Sequence, residues 1–308
     1  MKTECEMKIS IILVNFNGER YNEVCIESVL KNEWKGKVEL YIVDNHSTDN
    51  SMEKMERRWG SRNNFHFIHM KDNMGFSIAN NVGIEAALKN GTDYIMLLNN
   101  DTYVESDMIE KMVEVAQKYE NCIVLPKIYY MDRPEIIGSA GAELSRIVKK
   151  PINYGENQKD SEKYCVERKC SCGNGCCFLI SKETLDKVGF LEEAYFLYYE
   201  DTEFFMRARK KGITVVYTPE AKMYHKGNGS TKGNDNPANV YYITRNWLMC
   251  HKRHLGKIRY VISWIYFMLN RCAWVIIWGM MGKTQQIKAV WQGIYDFYKK
   301  KDGKYVAQ

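Results

Sequence analysis

Four times in its first hundred residues the chain places a short apolar run before a cluster of amides and carboxylates. The runs are Lys8-Ile9-Ser10-Ile11-Ile12-Leu13-Val14, Val38-Glu39-Leu40-Tyr41-Ile42-Val43, Phe65-His66-Phe67-Ile68-His69 and Tyr94-Ile95-Met96-Leu97-Leu98. Near-continuous apolar strands suit a parallel sheet covered on both faces. Stretches of helical character follow the first three, at about 21–31, 52–59 and 77–89. Strand and helix in alternation give a parallel sheet with right-handed crossovers. The polar clusters (Asn15/Asn17, Asp44/Asn45, Asn73, Asn99/Asp101) then stand at carboxyl strand ends along one edge, where open α/β sheets bind ligands.

No Gly-x-Gly-x-x-Gly follows any of these strands, and no Gly-x-x-x-x-Gly-Lys-Ser/Thr is present. Dinucleotide-binding and P-loop readings are therefore disfavoured. Asn99-Asn100-Asp101, one carboxylate beside two amides, suits a hard divalent cation that keeps several waters and shares a diphosphate. The competing reading is a polar turn that ends a strand. Tyr198-Tyr199-Glu200-Asp201-Thr202-Glu203 is a second chemical centre. Asp201 opens a helix, where the dipole favours a carboxylate, or serves as a general base aimed at the crevice.

Between these centres the pattern predicts a helix over 107–119 and strands over 122–126, 176–181 and 213–217. It adds a short helix over 182–188 and a helix over 239–255. Residues 127–169 are irregular and polar, as an acceptor-side insertion or a mobile lid would be. A Gly/Asn/Ser-rich loop up to about 237 reads as flexible and ordered by ligand. Cys165, Cys170, Cys172, Cys176 and Cys177 cluster, but only Cys172-x₃-Cys176 has the spacing of half a zinc site.

Chain length of 308 residues allows one large domain, or one domain with an appendage. The polar N-terminus has no apolar h-region, and the ten cysteines read as reduced cytosolic thiols. Residues 244–308 hold 12 Lys/Arg against 2 Asp/Glu, whereas the preceding residues hold 32 against 36. Five of the seven tryptophans also lie in this tail. Its uncharged runs, 260–270 and 272–282, are divided by Arg271. Each is shorter than the ~18 residues of a transmembrane span. A basic, Trp-rich apolar segment reads as an element that lies on an anionic membrane surface. The alternative is a pair of helices packed on the catalytic domain. Nucleic-acid binding lacks any accompanying motif.

Taken together, the motifs resemble the GT-A glycosyltransferases of family 2, and most closely the bacterial rhamnosyltransferase-like enzymes. The motifs are Ile12-Leu13-Val14-Asn15-Phe16-Asn17, Val43-Asp44-Asn45-x-Ser47-x-Asp49, Asn73-x-Gly75-Phe76-x-x-x-Asn80-x-x-Gly83, Leu98-Asn99-Asn100-Asp101, Gly173-x-Gly175 and Glu200-Asp201-x-Glu203-x-x-x-Arg207 with Gly212. The resemblance spans about residues 8–247. It implies a Rossmann-like α/β fold with a mostly parallel sheet flanked by helices. The catalytic domain would be 1–243, with a nucleotide-sugar half at about 8–126 and an acceptor half at about 127–243. A helical, membrane-associating extension would occupy 244–308.

By the same resemblance Asp201 matches the catalytic base, and Asp101 the carboxylate that meets Mg²⁺ or Mn²⁺. His225 sits where relatives place a histidine on the metal or diphosphate. Asp44 resembles the residue that reads the nucleobase, with Asn15 lining the same pocket. Asn17, Asn45, Asn73, Gly75, Phe76, Asn80, Asn99 and Asn100 complete the donor site, and Arg245 would contact the diphosphate. Asn99 departs from the first Asp of the family's Asp-x-Asp, so ribose or water-mediated contact replaces metal contact there.

The implied activity is metal-dependent, inverting sugar transfer from a nucleotide diphosphate, with dTDP-rhamnose as the first expectation and a UDP-hexose as the alternative. The implied acceptor is a lipid-linked oligosaccharide of cell-surface polysaccharide synthesis, reached from the cytoplasmic face of the membrane. Homo-oligomers are compatible with this, and nucleic acid is not expected. Two other classes compete. A sugar-phosphate nucleotidyltransferase needs a Gly-rich loop after the first strand, and Asn15-Phe16-Asn17-Gly18-Glu19-Arg20 is glycine-poor. A non-catalytic assembly scaffold would be favoured by loss of Asp101 or Asp201, and both are present.

Overall fold

The computed structural model describes residues 3–227 and 235–306. Its central strand is β1 (Lys8–Asn15). Around the first crossovers lie α1 (Asn22–Leu30), β2 (Lys37–Asp44), α2 (Ser51–Trp59), β3 (Phe65–His69), α3 (Phe76–Lys89) and β4 (Tyr94–Leu98). β2 and β4 flank β1, β3 lies outside β2, and all four strands are parallel. Period-two alternation sends Ile9, Ile11 and Leu13 into one core and Ile12 and Val14 into the other. The first core is covered by Ile26 of α1, Met55 of α2 and Met112 of α4 (Met108–Lys118). The second is covered by Ile84 and Ala87 of α3. Each fully buried Ile or Leu contributes about 1.5–3 kcal/mol. The parallel register pairs Asn15 with Asp44, which puts the polar strand ends on one edge as expected.

Beyond β4 the sheet becomes mixed. In chain order follow β5 (Thr102–Val104), β6 (Cys122–Tyr130), β7 (Arg133–Ser139), β8 (Ala142–Leu144), β9 (Pro151–Asn153), β10 (Gln158–Lys159), β11 (Arg168–Cys170) and β12 (Cys177–Ser181). They lead to α5 (Lys182–Val188), α6 (Glu200–Lys210) and β13 (Thr214–His225). β12 lies antiparallel between β4 and β6. Two strands outrun their expected ends at 126 and 217, and each runs past a proline. Pro126 pairs with Thr218, and Pro219 falls in a register shift between Thr218 and Lys222, which takes up the missing ladder donor. Residues 127–169 thus hold short strands, of which β7 and β10 extend the main sheet, joined by irregular turns. Most of the expected flexible loop before 237 lies outside the described residues.

The C-terminal part comprises α7 (Pro237–His254), α8 (Lys257–Met280) and α9 (Thr284–Tyr298). The two expected short runs are one 24-residue helix, with Arg271 inside it. Arg is a good helix former, so its charge divides the composition and not the backbone. α8 is long and apolar enough to cross a membrane, with mean hydropathy 1.5 and 17% of that window buried. The expected boundary at 243/244 falls inside α7. That helix places Cys250 in the main core, packs Tyr241 and Tyr242 with Trp278, Ala289 and Val290, and packs Trp247 and Leu248 with Phe267 and Phe297.

Candidate active site

A crevice of about 380 Å³ opens at the carboxyl edge of the parallel strands. Asn17, Asn45, Asn73, Gly75, Phe76, Asn99, Asn100 and Asp101 line it, as the sequence led us to expect. The floor is a chain of amides: Asn100 Nδ2 donates to Asn22 Oδ1 at 2.7 Å, Asn22 Nδ2 to Asn15 Oδ1 at 2.8 Å, and Asn15 Nδ2 to Asp44 Oδ1 at 2.8 Å. Asn15 and Asp44 are buried beneath the crevice and hold its wall from behind. Asn45 Nδ2 donates to Asn73 Oδ1 at 3.0 Å and its Oδ1 accepts from Met74 N at 2.9 Å, fixing the turn before α3. Gly75 has φ +89°, and a Cβ there would stand 2.4 Å from the Phe196 carbonyl, so only glycine closes this wall.

β5 follows Asp101 directly and pairs antiparallel with the end of β13, with Thr102 opposite His225. That pairing sets His225 Nε2 3.1 Å from Asp101 Oδ1, across 124 residues of sequence. Burial pushes the Asp101 carboxyl up, but the His225 hydrogen bond and charge, with Lys226, outweigh it and hold the group below the usual carboxylate range. The Asn99 carboxamide faces the crevice and bonds to no described residue. Among the described residues no group of three or more His, Cys, Asp or Glu is placed to hold a metal. One carboxylate and one imidazole nonetheless suit a cation that completes its shell with diphosphate oxygens and water.

Asp201 lies in the first turn of α6, after two consecutive left-handed tyrosines, Tyr198 (φ 65°) and Tyr199 (φ 74°). Each such residue costs roughly 1–2 kcal/mol. The turn is held by Asn246 of α7, whose Nδ2 donates to Leu197 O at 2.9 Å and Tyr198 O at 2.8 Å. Asp201 Oδ2 accepts from Gly175 N at 3.1 Å, and a side chain at 175 would collide with Asp201 Cβ at 2.8 Å. The next residue, Cys176, accepts from Asn99 N through its carbonyl at 2.8 Å. The backbone of Gly175-Cys176 therefore bonds to both chemical centres, to the Asp201 carboxylate and to the Asn99 main chain. Burial raises the Asp201 carboxyl, while donors from Thr202 and Gly175 oppose it. Beside it, burial and then the Asp201 charge push Glu200 up to about 8.

Comparison with known proteins supplies the family. The sequence profile of "Glycosyl transferase family 2" matches residues 10–189, more than half of the chain. The chain belongs to glycosyltransferase family 2. It is 24% identical over 270 residues to the low-salt glycan biosynthesis hexosyltransferase Agl10 of Haloferax volcanii, covering 87% of this chain and 83% of that one. It is 25% identical to the dTDP-rhamnosyl transferase RfbF of Shigella flexneri, covering 85% and 86%. In fold it is similar to S. aureus TarS 1–349 in complex with UDP-GlcNAc, at TM-score 0.60 and 16% identity, covering 94% and 81%.

Within this family 2 fold, four expected donor residues do not line the crevice: Asn15 and Asp44 lie beneath it, and Asn80 and Arg245 are engaged elsewhere. Asn80 is buried in α3 and donates to Phe76 O at 2.9 Å, a contact within the helix. Arg245 is fully buried and off the crevice; its Nε donates to Asn246 Oδ1 and its Nη1 to Tyr241 OH and Gly303 O, while its buried Nη2 has no partner among the described residues. In Tyr-x-x-Arg-Asn-Trp it is the asparagine that reaches the site, and the arginine orients it. The sequence reading also passed over Phe16, Gly18, Tyr21, Phe196 and Leu197, all in the crevice wall. Lys226, which follows His225, donates to Tyr21 OH at 2.6 Å. Phe196 and Leu197 stood in view, just before Tyr198-Tyr199-Glu200-Asp201.

Proposed function

We propose that this family 2 transferase moves rhamnose from dTDP-rhamnose, with inversion, to a lipid-linked oligosaccharide at an anionic membrane surface. The observation that carries the donor site is the Asp101–His225 pair at the strand edge, beside Asn99, whose carboxamide bonds to no described residue. These side chains would hold a divalent cation, Mg²⁺ or Mn²⁺. Bound there, such an ion supplies Lewis-acid stabilisation to the leaving diphosphate. Asp44 and Asn15 shape the nucleobase end, and Asn17, Asn45 and Asn73 line the way to Asp101. Asp201 takes the proton of the attacking acceptor hydroxyl. A single base opposite the leaving group gives inversion. The similarity to RfbF supports the rhamnose donor.

Calorimetry tests the donor. Binding of dTDP-rhamnose is expected to require Mn²⁺ or Mg²⁺, and Asp101→Ala to weaken it about tenfold to hundredfold, the worth of a charge-assisted contact. Tighter binding of UDP-glucose would overturn the rhamnose assignment, and metal-independent binding the role of Asp101.

The membrane reading rests on α8 and α9. Ile258, Ile262, Ile265, Leu269, Ile276 and Met280 stand exposed at three-, four- and seven-residue spacings along α8, and Trp291, Tyr295 and Tyr298 along α9. The intact chain is expected to sediment with phosphatidylglycerol vesicles, to release at about 0.5 M salt as charges are screened, and to ignore phosphatidylcholine. Absence from phosphatidylglycerol vesicles would remove the membrane from the proposal.

A further inference from the structure

A second cavity, of about 300 Å³, lies between α7 and α8. Its walls are aromatic, with Trp247 from α7 and Trp274 and Trp278 from α8. Two cations face it, Lys150 and Arg271. The Arg271 guanidinium makes no hydrogen bond or ion pair with any described residue, and its Nε is buried. It lies over the ring of Phe267, 5.2 Å away, and within electrostatic reach of Tyr199. A carboxylate also lines the cavity, Asp235, but Lys283 takes it and Trp278 Nε1 donates to it at 3.3 Å. Arg271 is half-buried, and a cation held partly out of water with no described counter-charge is costly, a cost that an anionic ligand would offset.

The cavity is tied to the chemistry by one piece of chain. Phe196 and Leu197 wall the donor crevice, Tyr199 walls this cavity, and Asp201 follows two residues on. The cavity also runs along the helix whose outer face is apolar and exposed. A ligand arriving along that helix would carry an apolar tail, an anion for Arg271 and Lys150, and a polar group to set against tryptophan.

We propose that this cavity is the acceptor's head-group site, in which Arg271 and Lys150 bind the phosphate that joins a lipid chain to the acceptor sugar. The site rests on the lipid-linked acceptor proposed above and assigns it residues. It places the acceptor on the Asp201 side of the Phe196-to-Tyr199 wall, with the donor on the other.

Farnesyl diphosphate is a short probe of this chemistry, and Trp247, Trp274 and Trp278 report its arrival by fluorescence. The titration uses the full chain with the donor crevice saturated by a nucleoside diphosphate. Saturable quenching is expected, with affinity about tenfold weaker in Arg271→Gln and retained within a few-fold in Arg271→Lys, as loss of one charge-assisted contact implies. Arg271→Gln should melt no lower than the parent, because it removes an unpaired cation. Nucleoside diphosphate affinity should be unchanged. Equal binding by Arg271→Gln would overturn the site and leave the donor reading standing. Failure of the parent chain to bind any nucleoside diphosphate would overturn the donor reading instead, and the farnesyl titration without nucleotide would still judge the site. Inorganic pyrophosphate binding as tightly as farnesyl diphosphate would make it a site for free phosphate. Competition by phosphatidylglycerol vesicles, absent with phosphatidylcholine, would make it a site for bulk lipid head groups. Either result overturns the acceptor assignment.

Discussion

Asp201→Asn is expected to lower turnover by about 10²–10⁴-fold, the usual worth of a general base, and to leave donor affinity where it was. The amide oxygen can still accept from Gly175 N, which Asp201 Oδ2 holds at 3.1 Å, although the amide nitrogen cannot accept from Thr202 N as Oδ1 does. What is lost is a site for the acceptor's proton. Burial raises the Asp201 carboxyl above 3.8. In the parent chain, turnover should therefore fall on the acid side through a value above that of an ordinary aspartate. Glu200, pushed up to about 8, stays protonated through neutrality and adds no second charge to repel the base. The same shift predicts the stability change. A carboxyl that holds its proton more tightly when folded costs stability as pH rises above 3.8, so at pH 7 the Asn chain should regain part of what it loses at Thr202. Initial rates across pH, with calorimetric donor affinity, check both parts. Near-normal turnover in the Asn chain would remove Asp201 as the base.

The four parallel strands were legible because both faces of β1 and β4 are apolar and the period is two. Their polar ends were legible because a parallel register leaves those ends level, as Asn15 opposite Asp44 shows. Long-range pairing is where the reading ran out. The link between Asp101 and His225 depends on Thr102 meeting His225 in an antiparallel ladder, and β13 had been ended eight residues too early, at Tyr217 rather than His225. Proline was the cause at both β6 and β13, since a bulge or an offset register lets a strand continue past it. His225 itself was named only through the family resemblance. Arg245 and Asn246 illustrate a finer limit. Neighbours on a helix point about 100° apart, and only the packing of α7 decides which of the two faces the turn at Tyr198. Arg271 was read as a divider, although its distinguishing property, a cation with no described counter-charge, is visible only once α8 is seen packed on α7.

Arg207→Ala is expected to destabilise the chain by about 3–5 kcal/mol, the usual cost of breaking a buried ion pair, even with His254 and Arg253 still facing Glu203. Glu203 has no exposed surface, and Arg207 Nη2 donates to its Oε2 at 2.9 Å, with His254 Nε2 3.0 Å from its Oε1. Burial alone would raise this carboxyl, but the His254 and Arg207 hydrogen bonds and charges overcome it and bring it down to about 2. Its contribution is thus complete above about 4.5 and is lost as pH falls toward about 2. Arg207 also donates from Nη1 to Val188 O and from Nη2 to Phe190 O, both at 2.7 Å, which fastens α6 to the turn after α5. Removing it loosens the helix whose first turn carries Asp201, so turnover should fall while the donor crevice, built on other strands, keeps its affinity. Denaturant midpoints read the stability, and pairing Arg207→Met with Glu203→Leu should recover most of it, because both charges then leave together. A loss below about 1 kcal/mol in Arg207→Ala, the range of an exposed pair, would show that Glu203 is reached by water and that α6 is held by its phenylalanines alone.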